Sequence, residues 1–288
     1  MPDSSPMSLS RRTFIQAASA AAAGSTLAGS GGSAGAVVEQ KERVCDWFRD
    51  MKRMLHLDSH FAGFPDPFKD FDAERAAKMY ADAGFQMVSY FAKCGGGYSY
   101  YPTKIGIVHP TLAADYTGEL TAELKKRGIR RILYFYTAIE RRHHKEHPEW
   151  VVNLDPGRTM QEGAANQESA MMCFNSPYVD RVTIPQMKEI IEKYDIDGFF
   201  FDIIMQQYLS QNCYCESCRE LFKKEVGGEI PKADTDPNAF SYRKWSNRHM
   251  EAHIEKVYLA LAGVKPDIAI INNFTWMATY PVTPPCPR

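Results

Sequence analysis

The sequence lacks a surplus of charge of either sign: 34 Lys and Arg face 35 Asp and Glu over 288 residues, a net of −1. Nucleic-acid binders carry a basic excess that neutralises phosphates, and no Lys/Arg block occurs outside the N-terminus, so no nucleic-acid partner is expected. Glycine and proline, at 19 and 17, are too few for a collagen-like or low-complexity chain. Past the N-terminal segment no apolar run is long enough to cross a bilayer. Neither GxGxxG nor GxxxxGK[ST] opens a helix pattern, which removes support for nucleotide binding. His143, His144 and His147 lack the HExxH spacing and read as a solvated loop.

What is present begins with an address. Ser10-Arg11-Arg12-Thr13-Phe14-Ile15 precedes a mildly apolar, Ala-rich run that ends in Ala34-Gly35-Ala36. Paired arginines, a weakly hydrophobic middle and an A-x-A ending predict a twin-arginine export signal over residues 1–36. The alternative is a disordered Ala/Gly tail. Ser, Gly and Gln in the run argue against a membrane span. The mature chain is then expected to be periplasmic or secreted, with no membrane span.

From Met54 onward, short apolar or aromatic runs alternate with helix-period segments, the pattern of βα units around a parallel sheet. Strands are expected at Met54–Asp58, Gln86–Phe91, Arg131–Thr137, Gly198–Ile203 and Ile268–Asn272, all joined by crossovers. Helices are expected at Asp72–Ala83 and Thr117–Arg127, closed by Gly84 and Gly128, then at Val179–Lys193. A long helix opens at Asp236-Pro237 and stops near Gly263. Ser59-His60, Lys93, Glu140, Asp202 and Asn272-Asn273 follow strand ends, as at the mouth of a (β/α)8 TIM barrel. Such a barrel needs eight units and about 250 residues, whereas five units use the chain up to Asn273. The expectation is therefore an α/β, incomplete barrel over residues 37–280, truncated or fragmentary, with a Pro-rich tail at 281–288 that forms neither helix nor central strand.

Seven cysteines are unevenly spaced, and Cys213-Tyr214-Cys215-Glu216-Ser217-Cys218 holds three in six positions. Such thiols can converge on one tetrahedral ion, Zn2+ being the natural occupant, with Cys173 as fourth ligand. A closed four-sulfur site is structural. Disulfides, favoured by an oxidising compartment, and a C-x-x-C redox pair are the alternatives. Cys45, Cys94 and Cys286 are left unpaired or buried.

Asp202 ends the apolar run Gly198-Phe199-Phe200-Phe201, where an ionised side chain is costly unless it meets solvent, a partner or a substrate. It is the leading catalytic candidate; the other reading is a cap or a lysine partner. Asp195 and Asp197 precede the strand and read as turn residues. Lys93 joins the run Gly95-Gly96-Gly97 and Tyr98, Tyr100 and Tyr101, which reads either as a sugar-binding loop or as a flexible loop with tyrosines packed beneath it. His60, Tyr136, Asn273 and Trp276 complete a mouth rich in hydrogen-bonding and stacking groups, so substrate contacts are expected from His60, Lys93, Tyr98, Tyr136, Asn273 and Trp276.

Asp58-Ser59-His60-Phe61, Tyr90-Phe91-Ala92-Lys93, Gly97-Tyr98, the Glu119–Tyr136 unit, Cys173-Phe174-Asn175-Ser176-Pro177-Tyr178 and Asp197-Gly198-Phe199-Phe200-Phe201-Asp202 together resemble the hypothetical glycosyl hydrolase 6 barrel domain. That domain is similar to the α-L-fucosidase barrels of glycoside hydrolase families 29 and 151. The resemblance spans roughly Met54 to Trp276. It implies a retaining mechanism with Asp202 as nucleophile and His60 as a sugar contact. Where family 29 tends to place histidines after the second-strand lysine, this chain has Cys94 and Gly95. The cysteines are similar to those of the family 42 β-galactosidases, whose C-F-x-S-P segment and C-x-C-x-x-C loop bind structural zinc, which implies that role for Cys173, Cys213, Cys215 and Cys218. Those enzymes end strand four in Asn-Glu, and this chain reads Asp202-Ile203-Ile204, so their acid/base does not carry over.

Retaining hydrolysis needs two carboxyl groups about 5–5.5 Å apart. Asp58 and Glu140 occupy strand ends but match no family acid. The expected function is an exported glycosidase acting on a carbohydrate, with a non-catalytic sugar-binding barrel and a thiol-redox protein as alternatives. A homo-oligomer is compatible with the sequence.

Overall fold

The structure, a computed structural model, describes residues 44–157, 167–202, 212–233 and 235–273. The export segment at 1–36, the tail at 281–288, Ile203 and Trp276 lie outside them.

Five parallel strands form an arc: β1 (Met54–His56), β2 (Met87–Lys93), β5 (Arg130–Tyr136), β8 (Gly198–Asp202) and β9 (Ala269–Asn272), paired in that order. The expected strands recur within one or two residues at nearly every end. The connections are not all crossovers, however. β3 (Tyr98–Ser99) pairs antiparallel with β2 and parallel with β4 (Ile107–Val108), while β6 (Ile139–Glu140) pairs antiparallel with β7 (Ala170–Met171). The glycine run makes the first of these turns: Gly97 takes φ 82° and donates to the Cys94 carbonyl at 2.9 Å, a backbone conformation that glycine adopts without a steric penalty.

Helix α1 (Val44–Arg49) precedes β1, and α2 (Ala73–Asp82) and α3 (Tyr116–Lys126) cover the next two crossovers. Asp72 caps α2 by accepting from Arg75 N, and Asp115 caps α3 by accepting from Gly118 N, each at 2.9 Å. Gly84 and Gly128 close the two helices at φ 74° and 67°. The one-turn α4 (His143–Glu146) replaces the expected solvated loop. His144 is fully buried, with Nε2 2.9 Å from the Gln167 carbonyl oxygen, and His147 stacks on Trp150 at 3.6 Å. A π-helical turn (Val179–Thr183) leads into α5 (Ile184–Lys193). α6 (Glu216–Glu225) was not expected from the sequence. α7 (Ala239–Ala262) starts three residues beyond Asp236, whose side chain instead accepts from Asn238 N at 2.8 Å.

Residues in register across parallel strands share a face of the sheet. Leu133 pairs with Tyr90 and Phe199, and this outer row buries against Leu120, Leu124, Met187 and Ile190 of α3 and α5. Phe91, Tyr134 and Phe200 form an inner row, Ile132 sits one step below it, and Tyr136 with Asp202 one step above. The inner row lies on the face of the sheet opposite to the Tyr90, Leu133 and Phe199 row. Phe91 and Tyr134 stack there at 3.8 Å, 8° from parallel. At the opposite, N-terminal end, Trp47 packs on Met87, Ile132 and Ala269.

Candidate active site and four-cysteine cluster

Asp202 reaches the C-terminal end of β8 with its carboxylate on the inner face. Oδ1 accepts from Asn273 Nδ2 at 2.7 Å, and Oδ2 accepts from the Tyr134 hydroxyl. Burial, then the adjacent carboxylate, pushes the Tyr134 phenol well above its ordinary range, so it stays a donor. The backbone prepares both contacts: Asn273 N continues the ladder to the Phe201 carbonyl at 2.9 Å, and Thr137 N donates to the Asp202 carbonyl at 3.3 Å.

Two histidines frame the aromatic row. His60 sits edge-on to Phe91 and Tyr134, with ring centroids 5.0 and 5.5 Å away. Its Nδ1 accepts from Gly95 N at 3.2 Å, and its Nε2 lies 3.4 Å from Asp58 Oδ1. A Cβ at Gly95 would stand 2.9 Å from His60 Cε1 and 3.3 Å from Tyr136 Cδ2, so only glycine lets those rings meet over the turn. His56 lies 5.4–5.9 Å from Phe91, Tyr134 and Phe200, with Nδ1 3.1 Å from Ser89 Oγ. Burial lowers its pKa, while Asp58 and Asp202 oppose that shift.

The structure therefore brings His60, Tyr136, Asn273 and Asp202 to one end of the strands. It adds Tyr134 and His56, which the sequence reasoning missed. The alternation Ile132, Tyr134, Tyr136 would have placed Tyr134 beneath the selected Tyr136, but β5 read as one apolar run. Two of the expected substrate contacts sit elsewhere. A bulge between Phe91 and Lys93 puts Lys93 in register with Phe135, on the outer face. There Lys93 is 1% exposed, with Nζ 3.3 Å from Glu140 Oε2 and 3.2 Å from the Tyr178 hydroxyl. Burial opposes both charges, but Lys93, the nearby His143 and the hydrogen bond from Arg142 N outweigh it and hold Glu140 well below the usual carboxylate range. Glu140 is thus locked in an ion pair and withdrawn from acid chemistry. Tyr98 lies under the Arg141 guanidinium, 4.1 Å from its ring, and edge-on to His109.

The four cysteines form a separate buried cluster. Sγ atoms of Cys173, Cys213, Cys215 and Cys218 all lie within 4.8 Å of one another, with Cys173 3.4 Å from Cys215 and 3.5 Å from Cys218. All four are free thiols, too far apart for a bond. Zn–S bonds of about 2.3 Å set sulfur–sulfur edges near 3.8 Å, so the spacing fits a tetrahedral ion. Burial pushes Cys173 up, while hydrogen bonds from its neighbours lower Cys213. A supporting chain runs outward: Asn175 Nδ2 donates to Cys218 Sγ at 3.4 Å, His249 Nδ1 lies 3.1 Å from Asn175 Oδ1, and His249 Nε2 lies 2.8 Å from Glu225 Oε2.

The family model described as Hypothetical glycosyl hydrolase 6 matches residues 72–203, from the cap of α2 past the end of β8. Among solved structures, the chain is similar to alpha-L-fucosidase isoenzyme 2 from Paenibacillus thiaminolyticus, with 24% identity and a TM-score of 0.61 over 77% of this chain. It is also similar to the glycoside hydrolase domain of PgaB (BpsB) from Bordetella bronchiseptica, with 15% identity and a TM-score of 0.58 over 77% of this chain. The match spans 32% of the fucosidase chain and 65% of the PgaB chain. No curated protein matches the sequence. The chain has an α/β fold similar to glycoside hydrolase barrels.

Proposed function

We propose that this chain belongs to an exported retaining glycoside hydrolase of the fucosidase-like kind, in which Asp202 is the nucleophile. The observation that carries this reading is the placement of Asp202. It is the carboxylate that ends a central barrel-type strand on the inner face, held from both sides by neutral donors beside an aromatic floor.

Each Asp202 oxygen accepts one hydrogen bond and keeps lone-pair capacity for attack on an anomeric carbon. Tyr134 and Asn273 fix its direction. As the glycosyl-enzyme ester forms, negative charge leaves Asp202; when water attacks the anomeric carbon, giving its proton to the acid/base residue, the Tyr134 hydroxyl stabilises the Asp202 carboxylate that departs. Phe91, Tyr134 and Phe200 offer ring faces to a sugar, and His56 and His60 offer hydrogen bonds at the rim. Glu140 being locked, Asp58 is the other strand-end carboxyl beside these histidines among the described residues, and we assign it the proton donor's part. The cysteine cluster holds one structural Zn2+, taken up before twin-arginine export to the periplasm or beyond. A closed S4 shell supplies rigidity and no Lewis-acid site.

The test is covalent trapping with a 2-deoxy-2-fluoro-glycosyl fluoride of the fuco series, followed by peptide mass analysis. The expected label is on Asp202, with Asp202→Asn neither labelled nor active. Label on another carboxylate would overturn the nucleophile. Sugar binding by the wild-type chain without turnover would assign it as a carbohydrate-binding barrel.

A further inference from the structure

A line of hydrogen bonds leaves the four thiols, passes through α7 and ends at the partly exposed carboxylate of Glu225. Asn175, two residues past Cys173, donates from Nδ2 to Cys218 Sγ at 3.4 Å. His249 Nδ1 lies 3.1 Å from Asn175 Oδ1, and its Nε2 lies 2.8 Å from Oε2 of Glu225, the last residue of α6. The same oxygen accepts from Trp245 Nε1 at 2.9 Å. Both ends of the line therefore sit on α6, about two helical turns apart.

The direction of each bond follows from what its atoms can do. A metal-bound thiolate only accepts, so the Asn175 amide turns its NH2 to the sulfur and its carbonyl oxygen to His249. That oxygen has no proton to give, so His249 donates from Nδ1. The carboxylate facing Nε2 makes that nitrogen a donor as well, and an imidazole that donates from both nitrogens is a cation. Burial works against the charge of Glu225, yet the hydrogen bonds from His249 and Trp245 hold its pKa below the ordinary value. The order along the line is carboxylate, imidazolium, amide, thiolate, with the amide dipole aligned between cation and sulfur. A neutral thiol at Cys218 imposes no such order, since the amide could then turn over.

We propose that Glu225, His249 and Asn175 form a charge relay that fixes the amide donor to Cys218 and so sets how firmly the cluster holds a divalent metal ion. The three are positioning residues, and none is itself a ligand. That the ion is Zn2+ rests on the structural-zinc reading above.

Competition of the full chain against a chromophoric chelator reads zinc affinity, and the sulfur-to-metal charge-transfer bands of the Co2+ form read the hydrogen bond to sulfur. His249→Phe, which keeps a ring beside Trp245, and Asn175→Leu are each expected to weaken Zn2+ binding by about 10-fold or more. Each is also expected to move the Co2+ bands in the same direction, with unchanged circular dichroism of the loaded chain. The double variant is expected to bind no more weakly than Asn175→Leu alone, because the relay is already cut. Glu225→Gln, which keeps the shape and removes the charge, weakens binding less but in the same direction, while Glu220→Gln, exposed on the same helix and outside the line, leaves it unchanged. Losses that add in the double variant, or bands that stay put when His249 is replaced, would show packing alone and overturn the relay. Equal Zn2+ affinity in wild type and His249→Phe would overturn the relay and leave the zinc reading standing; a wild-type chain that takes up no Zn2+ would sink both.

Discussion

Tyr134 decides how Asp202 can be used. A neutral hydroxyl that donates to a carboxylate contributes about 1.5–3 kcal/mol, and the charge it senses changes during the reaction. Tyr134→Phe leaves the stack on Phe91 intact and removes only that donor, so the rate of the covalent step is expected to change by roughly 10- to 150-fold while sugar affinity moves little. Pre-steady-state kinetics on an activated glycoside would read this split. An equal loss of affinity and rate would mean that the tyrosine merely lines the pocket. A second residue-scale prediction concerns Glu140. Its folded-state pKa is depressed, so its stabilisation is fully present above the ordinary value of 4.5 and is lost as pH falls below it. Glu140→Gln strands Lys93 in the interior at a cost of about 3–5 kcal/mol near neutrality. The gap between wild type and variant, measured by denaturant titration, is expected to narrow as pH drops below 4.5. A gap independent of pH would show that the pair carries no linked charge. The reach of Lys93 toward the mouth was misread for a local reason: strand alternation puts Ser89, Phe91 and Lys93 on one face, and a single bulged residue reverses the last of them.

At the level of elements, the spacing of Cys213, Cys215 and Cys218 was legible because three thiols sit in one short stretch, and the addition of Cys173 closes the cluster in space. The helices that the cluster organises were less legible. α6 begins directly after Cys215, and its Phe222 packs with Tyr242 and Trp245 of α7 around the thiols, so this lobe has a small core of its own. A satellite core of this size folds poorly unless it is pinned. Removal of metal by a chelator is expected to release amide protection in α6 and the first turns of α7 while β2 and β5 stay protected, as read by hydrogen exchange, with one zinc per chain recovered by elemental analysis. Loss of protection under reductant, with no response to chelator, would favour disulfide cross-links. The antiparallel pairs escaped the sequence reading because each is two residues long, below the length at which alternation can be seen.

Across the whole molecule, the arc divides its labour between the two ends of its strands. The C-terminal end gathers Asp202, Asn273, Tyr136 and His60. At the N-terminal end, Asp197 pairs with Arg130 at 3.0 Å and Arg131 at 2.8 Å, Arg130 lies 5.0 Å from the Trp47 ring, and Trp47 seals the inner face against Met87, Ile132 and Ala269. The sequence reading took Asp197 as a turn residue ahead of the strand, and the structure ties it to Arg130 and Arg131 there. It could not see Trp47, because a short helix ahead of the first strand has no periodic partner to reveal which face it covers. The division makes a prediction that belongs to no single element. Trp47→Ala removes a ring that is 4% exposed and is expected to cost about 3–5 kcal/mol of stability. Measured well below its melting temperature, however, it should leave sugar affinity and the trapping rate of Asp202 unchanged, because the row of Phe91, Tyr134 and Phe200 stands between the plug and the carboxylate. Tyr134→Phe should do the reverse, with rate altered and stability nearly kept. If both variants lost rate in proportion to stability, the two ends would be one cooperative unit, and the site geometry would depend on the plug rather than on the strand ends that carry it.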